Sequence, residues 1–262
     1  MSKMKLFCFP HAGGSASTYI SWSNLISKKV ELKPIEYPGR GFRAKDPLCT
    51  TMEEIVHSVY ETIVTMLDEE EDYILYGHSM GSLIAYEVAY KLIEKGHKKP
   101  HHIILSGGKA PQRRIKKKHS HKLVMEKFED FVLQYGGKQT HKIFENKELK
   151  DYFIPILRSD IKIVEEYLYQ KPAYLFDSNL SILIGEDDES TTWEDIKEWS
   201  EVTTKDCQFY YFKGGHFFIQ ENPKQVVNQI NYIIDSIVVE LSKPRVKTTQ
   251  FEEEESIGER ND

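Results

Sequence analysis

The segment Gly77-His78-Ser79-Met80-Gly81 lies between an apolar run at residues 73–76 and a helical pattern carried by Leu83, Ile84, Val88 and Leu92. A Gly-x-Ser-x-Gly so placed constrains the fold more than any other feature of the chain. It asks for a strand that ends in a sharp, strained turn and runs straight into a helix, so that the serine hydroxyl projects from the sheet edge. The glycines leave room for that backbone and for close packing. The helix N-terminus then aims its free N–H groups and the positive end of its dipole at the same place. A plain Gly-Ser turn can carry the same letters; the strand before and the helix after favour the elbow.

The rest of the chain keeps a strand–helix rhythm. Residues 5–9 read as a strand stopped by Pro10 and followed by the loop His11-Ala12-Gly13-Gly14-Ser15. Residues 32–37 are a second strand, closed by Pro38-Gly39, and 102–105, 180–184 and 208–212 are three more. Thr51 with Glu54 three residues on is a capping box, with Met52, Ile55, Val56, Val59 and Ile63 at helical spacing behind it. Pro223 opens a last helix with the stripe Val226, Val227, Ile230, Ile233, Ile234, Ile237 and Leu241. Such alternation gives an α/β class with a mostly parallel central sheet and helices on both faces.

One stretch breaks the rhythm. Between residues 105 and 180 no good strand is present, only helical patterns at 124–133 and at 149–168, the latter interrupted by Pro155. A connection that long carries its own structure or a function. It reads as a helical lid insertion at about 109–172, within a single domain over residues 1–242. Residues 243–262 are acidic without apolar periodicity and read as a solvated, disordered tail.

A Gly-x-Ser-x-Gly elbow in this setting belongs to the α/β-hydrolase fold, where the chain order is serine, acid, histidine. Of ten His, His216 alone lies well past the elbow, after Gly214-Gly215 and the strand at 208–212. His78 reads as a packing residue; His101, His102, His119 and His121 read as surface or loop residues. The acid should follow the strand at 180–184, where Gly185-Glu186-Asp187-Asp188-Glu189 offers four carboxylates. The Gly-x-x-Asp spacing favours Asp188, with Asp187 second. Two N–H donors are needed for an oxyanion: the backbone of Met80, after the nucleophile, and one from the loop after the first strand, where Ala12 fits best.

Composition removes several alternatives. Lys plus Arg is 35 against 41 Asp plus Glu, a net charge of −6, which argues against a general nucleic-acid binder. Cys8, Cys49 and Cys207 have no CxxC spacing, so neither a disulfide framework nor a Cys-rich zinc site is implied. No cofactor or metal is called for. The run Leu6-Phe7-Cys8-Phe9 before Pro10 is too short for a secretory leader, and no apolar run reaches a membrane-spanning length. The expectation is a cytoplasmic, soluble monomer with no membrane or nucleic-acid partner.

Taken together, Phe9-Pro10-His11-Ala12-Gly13-Gly14-Ser15, Tyr37-Pro38-Gly39-Arg40-Gly41, Gly77-His78-Ser79-Met80-Gly81 and Gly214-Gly215-His216-Phe217 resemble the type II thioesterases of nonribosomal peptide and polyketide synthesis. The resemblance runs from about Lys5 to Leu241. It implies a triad of Ser79, Asp188 and His216 with oxyanion donors Met80 and Ala12. It also implies acyl or aminoacyl substrates held on the phosphopantetheine arm of a carrier protein. Residues 109–122 carry Lys109, Arg113, Arg114, Lys116, Lys117, Lys118 and Lys122 without an acid. The segment reads either as a solvated basic loop or, since the resemblance implies carrier proteins that are acidic around the attachment serine, as a patch that steers docking. Competing readings are a hydrolase of small free esters or fatty acyl thioesters, and a non-catalytic binding protein on the same fold.

Overall fold

The computed structural model describes residues 3–113, 119–137 and 140–243. The basic residues Arg114, Lys116, Lys117 and Lys118 and residues 244–262 of the tail therefore lie outside the described residues.

The chain order is β1 (Met4–Phe9), β2 (Val30–Pro34), α1 (Met52–Val64), β3 (Tyr73–His78), α2 (Met80–Glu94) and β4 (His102–Ser106). The insertion follows with α3 (Met125–Tyr135), α4 (His141–Glu145) and α5 (Lys147–Glu166). The chain closes with β5 (Asn179–Gly185), α6 (Trp193–Ile196), β6 (Cys207–Phe212), α7 (Phe218–Glu221) and α8 (Pro223–Ser242). The six strands form one sheet in the order β2-β1-β3-β4-β5-β6, and every pairing is parallel.

Side chains alternate across the sheet, and both faces are covered. Phe7, Phe9, Tyr73, Leu75, Ile103, Leu105, Leu180 and Ile182 join α1 and α2 in one core. Leu6, Cys8, Ile74, Tyr76, Ile104 and Leu183 join Tyr19, Trp22 and the buried stripe of α8 in the other. The capping box forms: Glu54 N–H donates to Thr51 Oγ1 and Thr51 N–H to the Glu54 carboxylate, each at 3.2 Å. β2 begins and ends earlier than its apolar run because its register with β1 stops at Cys8–Pro34. Residues 35–37 stay buried beyond the strand, where the Tyr37 hydroxyl donates to Pro10 C=O at 3.0 Å.

The insertion leaves the sheet after β4, returns at β5, and holds a small core of its own: Phe128, Val132, Phe144, Ile154 and Leu157. Pro155 does not interrupt α5, which runs through it. Burial of the flanking Ile154, Ile156 and Leu157 outweighs the hydrogen bond that proline cannot make. His102 and His121 are not surface residues. His102 is buried in β4 against Ser181 Oγ at 2.9 Å, and His121 is buried with Nδ1 2.7 Å from the Glu165 carboxylate. Among the described residues no helix is long and apolar enough to cross a membrane.

Candidate active site

Ser79 sits between β3 and α2 with φ 56° and ψ −112°, the sole non-glycine residue of positive φ among the described residues. Such a conformation costs of order 1–3 kcal/mol and persists only where its surroundings dictate it. Here Ser79 N–H donates to Ser106 C=O at 2.8 Å, and its own carbonyl accepts from Ser82 N–H at 3.1 Å and Ser82 Oγ at 2.6 Å. The flanking glycines are dictated by contact. A Cβ on Gly77 would lie 2.1 Å from Gly81 C=O, and one on Gly81 2.0 Å from Phe9 C=O.

The ends of β5 and β6 bring the partners. The Ser79 hydroxyl lies 2.8 Å from His216 Nε2, and His216 Nδ1 lies 2.8 Å from Asp188 Oδ2. Asp188, not Asp187, is the carboxylate that meets the imidazole; Asp187 is exposed. The other Asp188 oxygen accepts from Ser190 N–H at 2.9 Å and Ser190 Oγ at 2.5 Å. Burial pushes the Asp188 carboxyl up, but the His216 hydrogen bond and charge, with the two Ser190 donors, outweigh it and hold it below the usual range. Ser190 Oγ is also 3.1 Å from His216 Nδ1, so the acid and the base share a third polar neighbour that no motif announced.

Two further imidazoles back the site. His78 is fully buried, with Nδ1 2.9 Å from Ser106 Oγ and its ring 5.3 Å from that of His216. Burial, then the charge of His216, drive its pKa down. His11 packs edge-on against Phe217, and burial, followed by the charges of His216 and Arg40, lowers its pKa to about 4. Both rings are therefore neutral spacers near neutral pH.

Ser79 and His216 open into a cavity of about 460 Å³. Ala12 and Met80 line it beside the serine. Neither backbone N–H of this pair is taken by a protein acceptor among the described residues. The lid supplies an apolar wall of Phe131, Val132, Leu157, Ile161 and Val164, while Lys109 and Glu165 add charge at the margin. Of the basic segment, Lys109 pairs with Asp195 at 2.7 Å and Arg113 with Glu198. Among the described residues no cluster of His, Cys, Asp and Glu could hold a metal. The arrangement can deliver a hydroxyl oxygen to a carbonyl carbon, take up its proton, and meet the resulting oxyanion with two free N–H groups.

Sequence reasoning missed Ser190 and the buried pair Arg40–Asp160, whose carboxylate holds Gly13 N–H next to Ala12. Asp160 did leave a signal. It falls on the apolar face of α5 with Leu157 and Ile163, where an acid has no place unless partnered.

The family model described as thioesterase domain matches residues 4–234. The gramicidin S biosynthesis protein GrsT of Aneurinibacillus migulanus is 30% identical over 226 residues, covering 86% of this chain and 87% of its own. The medium-chain S-acyl fatty acid synthase thioesterase of Rattus norvegicus is 28% identical over 220 residues, covering 83% and 82%. The crystal structure of ClbQ from the colibactin NRPS/PKS pathway superposes with a TM-score of 0.86 at 31% identity, over 91% of this chain and 99% of that one.

Proposed function

The chain belongs to the thioesterase-domain family, and on that premise we propose that it clears misloaded or stalled acyl and aminoacyl groups from the phosphopantetheine arm of carrier proteins in nonribosomal peptide or polyketide synthesis. In this reading the enzyme acts in the cytoplasm as a monomer. The observation that carries it is the hydrogen-bonded series Ser79–His216–Asp188 on the floor of a cavity with an apolar wall.

A thioester carbonyl is already activated, so nucleophile, base and oxyanion donors suffice. His216 Nε2 takes the Ser79 proton as Oγ attacks the thioester carbon. Met80 N–H and Ala12 N–H hold the oxyanion. Collapse expels the arm's thiolate, which takes the proton from His216, and leaves an acyl-serine. Water then attacks the ester carbon, giving its proton to Nε2, and a second collapse returns that proton to Ser79 and frees the carboxylic acid. Asp188 keeps Nδ1 protonated and steadies the imidazolium.

The apolar wall, with the likeness to the rat enzyme, also favours a second reading: medium-chain fatty acyl thioesters as substrates. Mass spectrometry of carrier proteins loaded with acetyl, octanoyl or aminoacyl groups tests both. Wild type should release the group and Ser79→Ala should not. Release confined to octanoyl supports the second reading. Equal release by Ser79→Ala ends both.

A further inference from the structure

We infer that Asp160 on the lid helix and Arg40 in the Tyr-Pro-Gly-Arg-Gly turn are positioning residues that aim the Ala12 N–H at the oxyanion, tying the oxyanion loop to the lid through one buried ion pair. This rests on the roles of Ser79 and Ala12 given above.

The pair is fully inside the protein, at 3% and 0% side-chain exposure. Arg40 uses both arms of its fork: Nη1 to Asp160 Oδ2 at 2.5 Å and Nη2 to Oδ1 at 2.7 Å. A buried ion pair adds little to stability beyond what apolar side chains of equal size would give. This one has a further occupation. Asp160 Oδ2 also accepts from Gly13 N–H at 2.7 Å, and Arg40 Nη1 reaches Gly14 C=O at 3.2 Å. The guanidinium lies over the Tyr37 ring, 5.3 Å from its centroid, and the Tyr37 hydroxyl holds Pro10 C=O. Gly14 N–H closes back onto His11 C=O at 2.9 Å.

Pro10 C=O, His11 C=O, Gly13 N–H and both polar groups of Gly14 are thus held by hydrogen bonds around Ala12, whose own N–H has no protein acceptor among the described residues. Of the peptide planes on either side of its Cα, the 12–13 plane is held from α5 through Gly13 N–H, and the 11–12 plane, which carries the Ala12 N–H, is held by Gly14 N–H on His11 C=O, with Gly14 in turn held by Arg40. Placement errors of about 1 Å at such a donor cost on the order of 100-fold in rate, so the clamp sets activity as well as shape. Because Asp160 belongs to α5, a lid helix displaced from Arg40 also releases Gly13.

The test uses the full chain with an acyl N-acetylcysteamine thioester, a trifluoromethyl ketone analogue that forms an oxyanion with the serine, and a thioether analogue that does not. Asp160→Asn, Asp160→Ala and Arg40→Lys are compared with wild type. The expected result is a fall in kcat of about 10- to 100-fold with KM within about threefold. The ketone should weaken by the same factor as kcat/KM, the thioether should bind unchanged, and Asp160→Asn should lose less than Asp160→Ala. Should Asp160→Ala not fold, Asp160→Asn and Arg40→Lys give the same ratio. Unchanged kcat, a change in KM alone, or ketone affinity that does not follow kcat/KM overturns the inference while the thioesterase reading stands. A wild type that cleaves no thioester, or a Ser79→Ala that does, overturns that reading and this inference with it.

Discussion

Helix α2, which starts next to Ser79, buries eleven of its fifteen residues; α5, which lines the cavity with Leu157, Ile161 and Val164, buries six of twenty. The two helices face each other across the same serine and are held by different means. α2 is fixed by the sheet beneath it and by glycine contacts that admit no side chain. α5 reaches the main core with Ile163 and Val164 near its C-terminal end and otherwise meets the body through polar clasps: Asp160 on Arg40, Ser159 on Cys49 C=O, and Gly41 N–H on the Tyr152 hydroxyl at 3.1 Å. The lesson is a division of labour. The Ser79 hydroxyl is placed by backbone geometry and a continuous core, which allow almost no motion. The insertion helix and the Ala12 loop are placed by a smaller apolar contact and a few hydrogen bonds, which can be made and broken singly.

The largest effect should come from breaking the rigid side without touching the lid. Asp188→Asn keeps the size of the side chain but removes the charge that fixes the His216 tautomer. A fall in kcat of about 10⁴-fold is expected, with hydrogen-exchange protection in α5 unaltered. Loss of protection in the lid would show that the two regions are not separable as described.

An intermediate effect should come from the lid side. Glu165 accepts from Ser120 N–H at 3.0 Å, His121 N–H at 3.3 Å and His121 Nδ1 at 2.7 Å, joining α5 to the turn Ser120–Lys122. Burial raises its pKa, but the His121 and Ser120 hydrogen bonds outweigh that and leave it lowered. A carboxylate lowered in the folded state stabilises fully above its unfolded pKa, about 4.3, and loses that contribution as pH falls through the folded value. Glu165→Gln should therefore speed exchange in α5 at pH 6, by about 10-fold, while the variant and wild type converge only on acidification through the lowered folded value of Glu165. Protection in α2 should be the same in both at either pH.

The same division explains what could be read from the sequence. The elbow was legible because its demands are local: strand, five residues, helix. His216 and Asp188 were legible because each follows a strand that ends at the same sheet edge. The place of the helical insertion between β4 and β5 was legible from a gap in the strand rhythm. The pairing of Arg40 with Asp160 was not, since 120 residues separate them and only the fold brings them within reach. His102 and His121 misled for a similar reason. Each is polar by type, yet each finds one partner, Ser181 or Glu165, that makes burial tolerable. Pro155 misled because propensity is overruled when the residues around it are buried.

The smallest effect should come from Ser190, which stands where the two regions meet: it lines the cavity and touches both Asp188 and His216. Its hydroxyl donates to an Asp188 oxygen already served by Ser190 N–H, so Ser190→Ala leaves that oxygen with one donor instead of two. The His216–Asp188 bond does not depend on it. A two- to fivefold loss in kcat is the expected scale, about 0.4–1 kcal/mol, below the range for a hydrogen bond to a charged group because the oxygen keeps its second donor. The Asp188 carboxyl should also rise toward the ordinary range, since a donor that favours its charged form is gone. Stability that rests on that carboxylate would then fade at a higher pH on acid titration than in wild type. A loss as large as that of Asp188→Asn would mean instead that Ser190, rather than the sheet edge, orients the acid, and that the rigid side of the site is smaller than its burial suggests.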